Sequence, residues 1–195
     1  MYIFGASGHG KVVKEILEAQ GIVVEACIDD NPAISCLNGI PVLHQAEGLS
    51  PVIVSVGDNL TRKQIVGRLS CSFGTAIHSA AIVSPSAKIG EGTVIMPGAI
   101  INADAVIGKH CIVNTGASID HECVIGDYCH VAPHASLCGQ VTLGDGVLVG
   151  VGASLIPCVH VGEWSVVGAG AVVLRDIPAN CIAVGVPAKS IEWKK

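Results

Sequence analysis

A six-residue hydrophobic period runs through the last two thirds of the chain. From Ile77 onward, every sixth residue is Val, Ile or Leu, and the seventeen positions are Ile77, Val83, Ile89, Ile95, Ile101, Ile107, Val113, Ile119, Ile125, Val131, Leu137, Leu143, Val149, Leu155, Val161, Val167 and Val173. An amphipathic helix repeats every 3.6 residues and a strand every two, so neither element alone explains this period. The pattern is typical of a short strand and a corner, repeated, with one aliphatic side chain per unit pointing inward.

Small residues accompany this period and suggest where the chain bends. The position four residues after the aliphatic one is small or modest in size nearly throughout, as in Ala81, Ala87, Ala99 and Ala105. Three units close a triangular coil of eighteen residues, and stacked coils lie about 4.8 Å apart as parallel strands. The sequence therefore predicts a parallel β-helix of five to six coils within residues 76–195, with no long loop interrupting it.

Residues 1–75 have a different pattern, which predicts a small α/β domain. A short apolar strand over 2–4 leads into the turn Gly5-Ala6-Ser7-Gly8-His9-Gly10, and a helix is predicted over 11–19. Free N–H groups at a helix N-terminus bind anions, so this turn predicts a phosphate site. A tight strand-to-helix turn without a ligand would leave the same pattern.

Two further strands and a helix complete this domain as a half-sized βαβαβ unit. The strands are predicted over 23–28 and 51–56, and the helix over 61–69. The second strand ends at Asp29-Asp30, where a dinucleotide fold holds a ribose, and the third ends at Gly57. The turn is G-x-x-G-x-G rather than the dinucleotide G-x-G-x-x-G, and too little chain remains for a second nucleotide half. These features favour a nucleotide ligand other than NAD.

The amino-acid composition is typical of a core built from thin layers of aliphatic side chains, and it excludes some classes of binding partner. The chain is 50% hydrophobic but only 3% aromatic, with 24 Gly and a net charge of -5. The chain lacks the basic surface that nucleic-acid binding requires. It also lacks an apolar run of about 18 residues, the length of a membrane-spanning helix, and a signal-peptide pattern before the first strand. Nine Cys without a C-x-x-C pair are typical of buried thiols in a reducing compartment. We expect a cytoplasmic protein that neither binds nucleic acid nor inserts into a membrane.

The whole chain resembles one family. It is similar to the hexapeptide-repeat, left-handed β-helix sugar O- and N-acetyltransferases of the bacillosamine N-acetyltransferase and sialic acid O-acetyltransferase type, and the matching stretches include YIFGASGHGKVV, CIDD, VGDN, NTGASIDHECVIGDYCHVAPHASLCGQV and VGVPAK. The resemblance implies acetyl-CoA as co-substrate and a homotrimer with active sites between subunits. It also implies that the N-terminal domain holds the nucleotide of an activated sugar, through Ser7, Gly8, His9, Asp29, Asp30 and Gly57.

His121 is the candidate general base for acetyl transfer. A histidine suits this task because it titrates near neutrality. Glu122 follows His121 and Asp120 precedes it, and near a corner a carboxylate and the imidazole can converge as a His–acid pair. One coil later the stacked position is Gly139, which leaves room above the imidazole and exposes a backbone N–H to the thioester. The resemblance makes His121 the base and Glu122 its partner; a solvated surface histidine is the alternative interpretation.

The resemblance assigns further residues to acetyl-CoA. His130 lies half a coil after His121, so it should not reach His121 of its own chain, whereas a neighbour's His130 would do so in a trimer. The implied contacts of acetyl-CoA are His130, the Gly139 gap, and the backbone of Val151 and Ala169. Lys189 is either near a CoA phosphate or merely solvated. His134 is a weaker candidate, and the histidines expected at the surface are His44, His78, His110 and His160.

Three other functions stay open at this point. O-acetylation of sialic acid would use the same fold and base, and the repeats do not distinguish an amine from a hydroxyl acceptor. A γ-class carbonic anhydrase shares the β-helix but needs three His on zinc across a subunit interface, and His130 and His134 are one residue closer than is usual there. A non-catalytic protein would bind the nucleotide sugar but not acetyl-CoA. We favour N-acetylation of a nucleotide-activated amino sugar, of the UDP-4-amino-sugar type, without a metal.

Overall fold

The N-terminal region folds as a sheet with one helix on each face. A computed structural model describes residues 1–191. Three parallel strands form the centre of the sheet, in the spatial order β2 (Ala26–Ile28), β1 (Tyr2–Phe4) and β5 (Val52–Val54). Helix α1 (Gly8–Ala19) packs on the face that carries Ile3, and α2 (Asn59–Arg68) packs on the face that carries Phe4. The carboxyl ends of the strands therefore meet the N-termini of both helices at one edge.

A β-hairpin lies in a segment for which the sequence analysis predicted neither a helix nor a strand. Strand β3 (Cys36–Leu37) and strand β4 (Ile40–Leu43) pair in antiparallel fashion, and β4 joins β2, so the sheet order is β3-β4-β2-β1-β5. The two-residue turn is Asn38-Gly39, and both residues have positive φ, 45° and 84°. Asn-Gly in such a turn is the strongest short-range hairpin signal. The prediction of a plain βαβαβ unit was therefore wrong in its middle section.

The remaining strands confirm the predicted parallel β-helix, of the left-handed type. Each strand has two residues, and the strands are β6 (Ala76–Ile77), β7 (Ile82–Val83), β8 (Lys88–Ile89), β9 (Val94–Ile95), β10 (Ile100–Ile101), β11 (Val106–Ile107), β12 (Ile112–Val113), β13 (Ser118–Ile119), β14 (Val124–Ile125), β15 (His130–Val131), β16 (Ser136–Leu137), β17 (Thr142–Leu143), β18 (Leu148–Val149), β19 (Ser154–Leu155), β20 (His160–Val161), β21 (Val166–Val167) and β22 (Val172–Val173). Paired residues are one coil apart, as in Ile101 with Ile119.

The prism has three faces, which are named here by their strands. The first face contains β7, β10, β13, β16, β19 and β22; the second contains β8, β11, β14, β17 and β20; the third contains β6, β9, β12, β15, β18 and β21. From Ile95 to Val173 every sixth residue is at most 2% exposed. Full burial of such a side chain contributes about 2 kcal/mol, so these periodic residues contribute much of the stability of the prism.

The chain turns one residue before the small residue of each repeat. Positive φ recurs every six residues from Gly92 to Gly170, and several of these positions carry ordinary side chains, such as Asp104 at 59° and Glu122 at 57°. The small residues that follow, such as Ala105, are fully buried. They are small because they fill the narrow corner of the core, whereas the left-handed residue before them makes the bend.

Two pieces of chain extend or cover the third face of the prism. At its C-terminal end, β23 (Ile182–Val184) extends the third face and β24 (Lys189–Ile191) pairs with it in antiparallel fashion. At its other end, α1 packs over the lower part of the third face, where Val94 and Ile112 are buried. No helix within residues 1–191 has the length and apolar character needed to cross a membrane.

A buried arginine joins α2 to the β-helix. Arg62 is 1% exposed, and its guanidinium donates to the carbonyl oxygens of His110 at 2.8 Å and Tyr128 at 2.7 Å. It also donates to the carbonyl oxygens of Val56 and Gly57, at 2.8 and 3.1 Å. Burial lowers the pKa of Arg62 to about 10, so the side chain remains a cation at neutral pH. These bonds fix the loop after β5 against the third face.

Candidate active site

His121 and Glu122 form a hydrogen-bonded pair at the corner that follows β13. The positive φ of Glu122 brings the two adjacent side chains together, and His121 Nδ1 lies 3.1 Å from Glu122 Oε2. Gln140 Nε2 donates to the same carboxylate oxygen at 3.0 Å. The hydrogen bonds from Gln140 and then His121 lower the pKa of the Glu122 carboxyl, so it is ionised at neutral pH. The pair can therefore orient an imidazole and support its positive charge.

Gly139 lies against the imidazole of His121. A Cβ atom at position 139 would be 2.6 Å from both Cε1 and Nε2 of His121, which is far inside van der Waals contact. Only a glycine leaves the imidazole in this position. The His121 side chain is 55% exposed, so its Nε2 edge is accessible to a substrate. A cavity of about 550 Å³ lies beside it, lined in part by Ile82, Asn102 and Asp120.

His130 belongs to a second cluster, on the third face. The Nδ2 atom of Asn114 lies 3.0 Å from His130 Nε2. Burial, then the charge of Arg62 and the neighbouring His9, together lower the pKa of His130 to about 4, although a hydrogen bond with the backbone of Gly57 acts in the opposite direction. The pKa of His9 is also lowered to about 4, first by burial and then by Arg62. Both imidazoles are therefore neutral at pH 7.

This second cluster lies where the N-terminal domain meets the prism. The Nε2 atom of His9 is buried and has no hydrogen-bond partner within residues 1–191. A cavity of about 800 Å³ begins at Gly57 and His130 and continues along the third face past Leu148 and Trp164. His121 follows β13 of the first face, whereas His130 lies in β15 of the third face, so the two histidines of one chain belong to separate clusters.

The Gly-rich turn contains glycines of two kinds. A Cβ at Gly10 would be 2.2 Å from the Gly5 carbonyl oxygen, so tight packing of the turn requires Gly10. A Cβ at Gly8 would contact nothing within 4 Å. Ser7 is the N-cap of α1, yet its hydroxyl makes no capping hydrogen bond. The exposed residues Ser7 and Gly8 thus leave an open helix N-terminus, the kind of site that binds anions.

The two aspartates after β2 already have partners. Asp29 Oδ2 accepts from the Ala6 N–H at 2.8 Å, and its Oδ1 accepts from the Asn31 N–H at 2.9 Å. Asp30 pairs with Arg68 at the surface. Asp29 therefore holds the Gly-rich turn in place.

The expectation that His110 lies at the surface was wrong. Its side chain is 3% exposed, stacks on Tyr128 with ring centroids 5.3 Å apart, and meets the edge of Phe73 at 4.6 Å. It also lies over Gly92, where a Cβ would be 2.0 Å from its ring. Phe73 belongs to the segment that joins the two regions, so the covering group lies outside the repeat. His44 and His160 are exposed, His78 is partly exposed, and His134 is exposed beside Gly116.

The remaining residues expected at acetyl-CoA lie on another edge of the prism. Val151 and Ala169 are exposed at the corners after β18 and β21, one coil apart. Lys189 is exposed at the start of β24.

Three residues that contribute to these two clusters were not predicted from the sequence, namely Gln140, Asn114 and Arg62. The eighteen-residue spacing from Glu122 would have indicated Gln140, but no pattern in the sequence marks Arg62.

Two family models match parts of the chain, and curated proteins match it as well. Residues 1–69 match the PglD N-terminal domain, and residues 86–121, 104–139 and 140–175 match the bacterial transferase hexapeptide (six repeats). UDP-N-acetylbacillosamine N-acetyltransferase from Bacillus subtilis (strain 168) is 46% identical over 103 residues. That alignment covers 46% of this chain and 48% of the Bacillus protein, about half the length of each.

Solved structures match over nearly the full length. A variant of perosamine N-acetyltransferase from Caulobacter crescentus, in complex with CoA and GDP-perosamine, has a TM-score of 0.93 and 42% identity, and the match covers 97% of this chain and 95% of that chain. The acetyltransferase domain of PglB from Neisseria gonorrhoeae FA1090 has a TM-score of 0.90 and 37% identity, with coverage of 97% and 98%. Its complex with acetyl coenzyme A matches at 36% identity, with the same TM-score and coverage.

Proposed function

Because the chain belongs to the family of hexapeptide-repeat sugar N-acetyltransferases that carry a PglD N-terminal domain, we propose that it transfers an acetyl group from acetyl-CoA to an amino group of a nucleotide-activated amino sugar. The observation that carries this proposal is the His121–Glu122 pair facing Gly139. The relatives with CoA and GDP-perosamine bound support the choice of co-substrate and acceptor class.

In this proposal His121 is the general base. With the proton of the neutral imidazole on Nδ1, the N–H donates to Glu122 Oε2 and Nε2 is left as the acceptor. Nε2 then takes the proton that the amine loses as its nitrogen bonds to the acyl carbon. As the carbon–sulfur bond breaks, the imidazolium returns this proton to the leaving thiolate. The ionised Glu122 stabilises the imidazolium between the two steps.

The acyl donor is proposed to lie between His121 and the corners of later coils. Acetyl-CoA supplies an acyl group activated as a thioester. The Gly139 N–H stabilises the negative charge that develops on the thioester oxygen, and the His130 of a neighbouring copy lies against the acyl end. Val151 and Ala169 are exposed and one coil apart, which suits backbone contact with an extended pantetheine arm. Lys189 is exposed at the start of β24, and we propose that its ammonium group approaches a phosphate of CoA.

The N-terminal domain, for which we propose the bounds 1–75, is assigned to the nucleotide. The open N-terminus of α1 at Ser7 and Gly8 would receive the diphosphate, since free N–H groups and the helix dipole both favour anions there. Asp30 and Gly57 lie at the same edge of the sheet, and Asp29 holds the turn. His9, buried beside His130, would lie between nucleotide and acyl group.

The active unit is proposed to be a homotrimer in the cytoplasm. The first and second faces expose aliphatic side chains, including Ile82 at 65%, Val124 at 47% and Val106 at 37%. Three copies packed around a threefold axis would cover these side chains and bring His121 of one copy near His130 of the next. Nine free thiols suit a reducing compartment.

A panel of acceptors tests the proposed function. The wild-type protein is incubated with acetyl-CoA, and thiol release is followed with UDP-, GDP- and dTDP-linked amino sugars and with free and CMP-linked sialic acid. Release with a nucleotide-linked amino sugar is expected. Release only with sialic acid would make the protein an O-acetyltransferase, and binding of nucleotide sugar without acetyl-CoA binding would make it a non-catalytic binder. The γ-class carbonic anhydrase alternative is tested in parallel by metal analysis and a CO₂ hydration assay.

A further inference from the structure

Three corner residues form a hydrogen-bonded column that ends at the His121–Glu122 pair. Glu122, Gln140 and Cys158 are each one coil apart and have nearly the same left-handed φ of 57°, 63° and 64°. Gln140 Nε2 donates to Glu122 Oε2 at 3.0 Å, and Cys158 Sγ donates to Gln140 Oε1 at 3.3 Å. The amide of Gln140 is therefore held at both ends, with its N–H group directed at the carboxylate.

The backbone reinforces this arrangement. The Gln140 N–H donates to the His121 carbonyl oxygen at 2.9 Å, and the Cys158 N–H donates to the Gly139 carbonyl oxygen at 3.0 Å. Each corner is thereby fixed against the one below it. A carboxylate on a corner residue is otherwise free to rotate, because the Glu122 side chain is 54% exposed. The donor that restrains it besides His121 is Gln140.

The opposite side of His121 is held by a separate pair of residues. Asn102 Nδ2 donates to Asp120 Oδ1 at 2.8 Å, and the His121 N–H donates to the same oxygen at 2.8 Å. These bonds fix the backbone of His121 but do not touch its ring. Orientation of the imidazole itself therefore depends on Glu122, and orientation of Glu122 depends on Gln140.

We propose that Gln140 is a positioning residue for acetyl transfer, which holds the Glu122 carboxylate where it accepts the hydrogen bond from His121 Nδ1. This inference rests on the proposed function. Gln140 acts through Glu122 and needs no contact with the substrate. Loss of its N–H donor frees the carboxylate to rotate, so that His121 Nε2 is presented to the acceptor in only part of the population.

The test replaces Gln140 by Met, which has nearly the same shape and no N–H donor. We expect kcat to fall about tenfold, the order of effect for one hydrogen bond to a charged group, with KM for acetyl-CoA and the melting temperature unchanged. The matched control is Gln64→Met on the exposed side of α2, which should retain wild-type kcat. In a Glu122→Gln background, Gln140→Met should cause no further loss, since a residue that acts through Glu122 is not additive with it.

A measurement independent of turnover separates this inference from the proposed function. The pKa of the Glu122 carboxyl, followed by carbon-13 NMR, should rise in Gln140→Met because the hydrogen bond from Gln140 is the main cause that lowers it. If no acceptor supports turnover, the proposed function fails, whereas a rise in this pKa still supports Gln140 as the residue that holds Glu122. An unchanged pKa, or losses that multiply in the double variant, would overturn the role of Gln140.

Discussion

Replacement of Gly139 by Ala tests the geometry of the His121 site by adding a single methyl group. The added Cβ would lie 2.6 Å from Cε1 and Nε2 of His121, about 0.8 Å short of the 3.4 Å at which ordinary contact begins. The imidazole must move, and it can do so because its side chain is half exposed. The φ of Gly139 is not positive, so alanine causes no backbone strain there. The expected result is a folded protein with a misplaced base.

The size of the effect follows from the displacement. A movement of about 1 Å away from a productive geometry costs on the order of 100-fold in rate. We therefore expect kcat of Gly139→Ala to fall about 100-fold, and KM for the nucleotide sugar to stay within about twofold because the nucleotide is proposed to bind the N-terminal domain. Thiol release under saturating acetyl-CoA measures kcat, and thermal unfolding measures stability.

A control separates the local clash from a general effect of the substitution. Gly67→Ala adds the same methyl group on α2, where a Cβ meets nothing within 4 Å, and it should leave kcat unchanged. If Gly139→Ala keeps wild-type kcat, the added methyl group does not displace the imidazole. That result would refute the proposal that only a glycine at position 139 leaves space for His121. A fall in melting temperature by many degrees would equally contradict the expectation that only His121 responds.

Two further predictions concern the nucleotide site and the assembly. Gly8→Ala should leave the fold intact or stabilise it by about 0.5 kcal/mol, since its Cβ meets no protein atom, yet it should raise KM for the nucleotide sugar about tenfold or more. An unchanged KM would contradict a role of Gly8 in binding the diphosphate, and Gly67→Ala is again the control. A random 1:1 reassembly of His121→Ala and His130→Ala chains should regain about a quarter of wild-type activity, because each trimer that contains both chains has one interface with both intact histidines and about a quarter of the trimers contain only one kind of chain. No recovery in verified mixed trimers would contradict a site shared between copies.

The fold was predictable because each repeat contains an aliphatic residue that must be buried. Every sixth residue from Ile95 to Val173 must be inside, and a coil built from six-residue units satisfies this, so the period alone predicts the confirmed β-helix. The hairpin around Asn38-Gly39 was missed although its turn signal is in the sequence. It was missed because residues 1–75 were interpreted as a plain βαβαβ unit.

The candidate site was predictable only as far as the repeat extends. Stacking by eighteen residues placed Gly139 over His121, and the same rule applied to Glu122 would have found Gln140. His110 was misplaced because Phe73, from outside the repeat, covers it. Arg62 depends on the docking of α2 against the third face, a long-range contact that local patterns in one sequence do not encode.

The most direct test of the central claim is the turnover of His121→Ala beside the wild-type protein, with acetyl-CoA and a nucleotide-linked amino sugar that the wild type accepts. The account predicts an intact fold and trimer with kcat lower by two or more orders of magnitude, the usual range for loss of a general base. Turnover of His121→Ala at the wild-type rate would contradict the account.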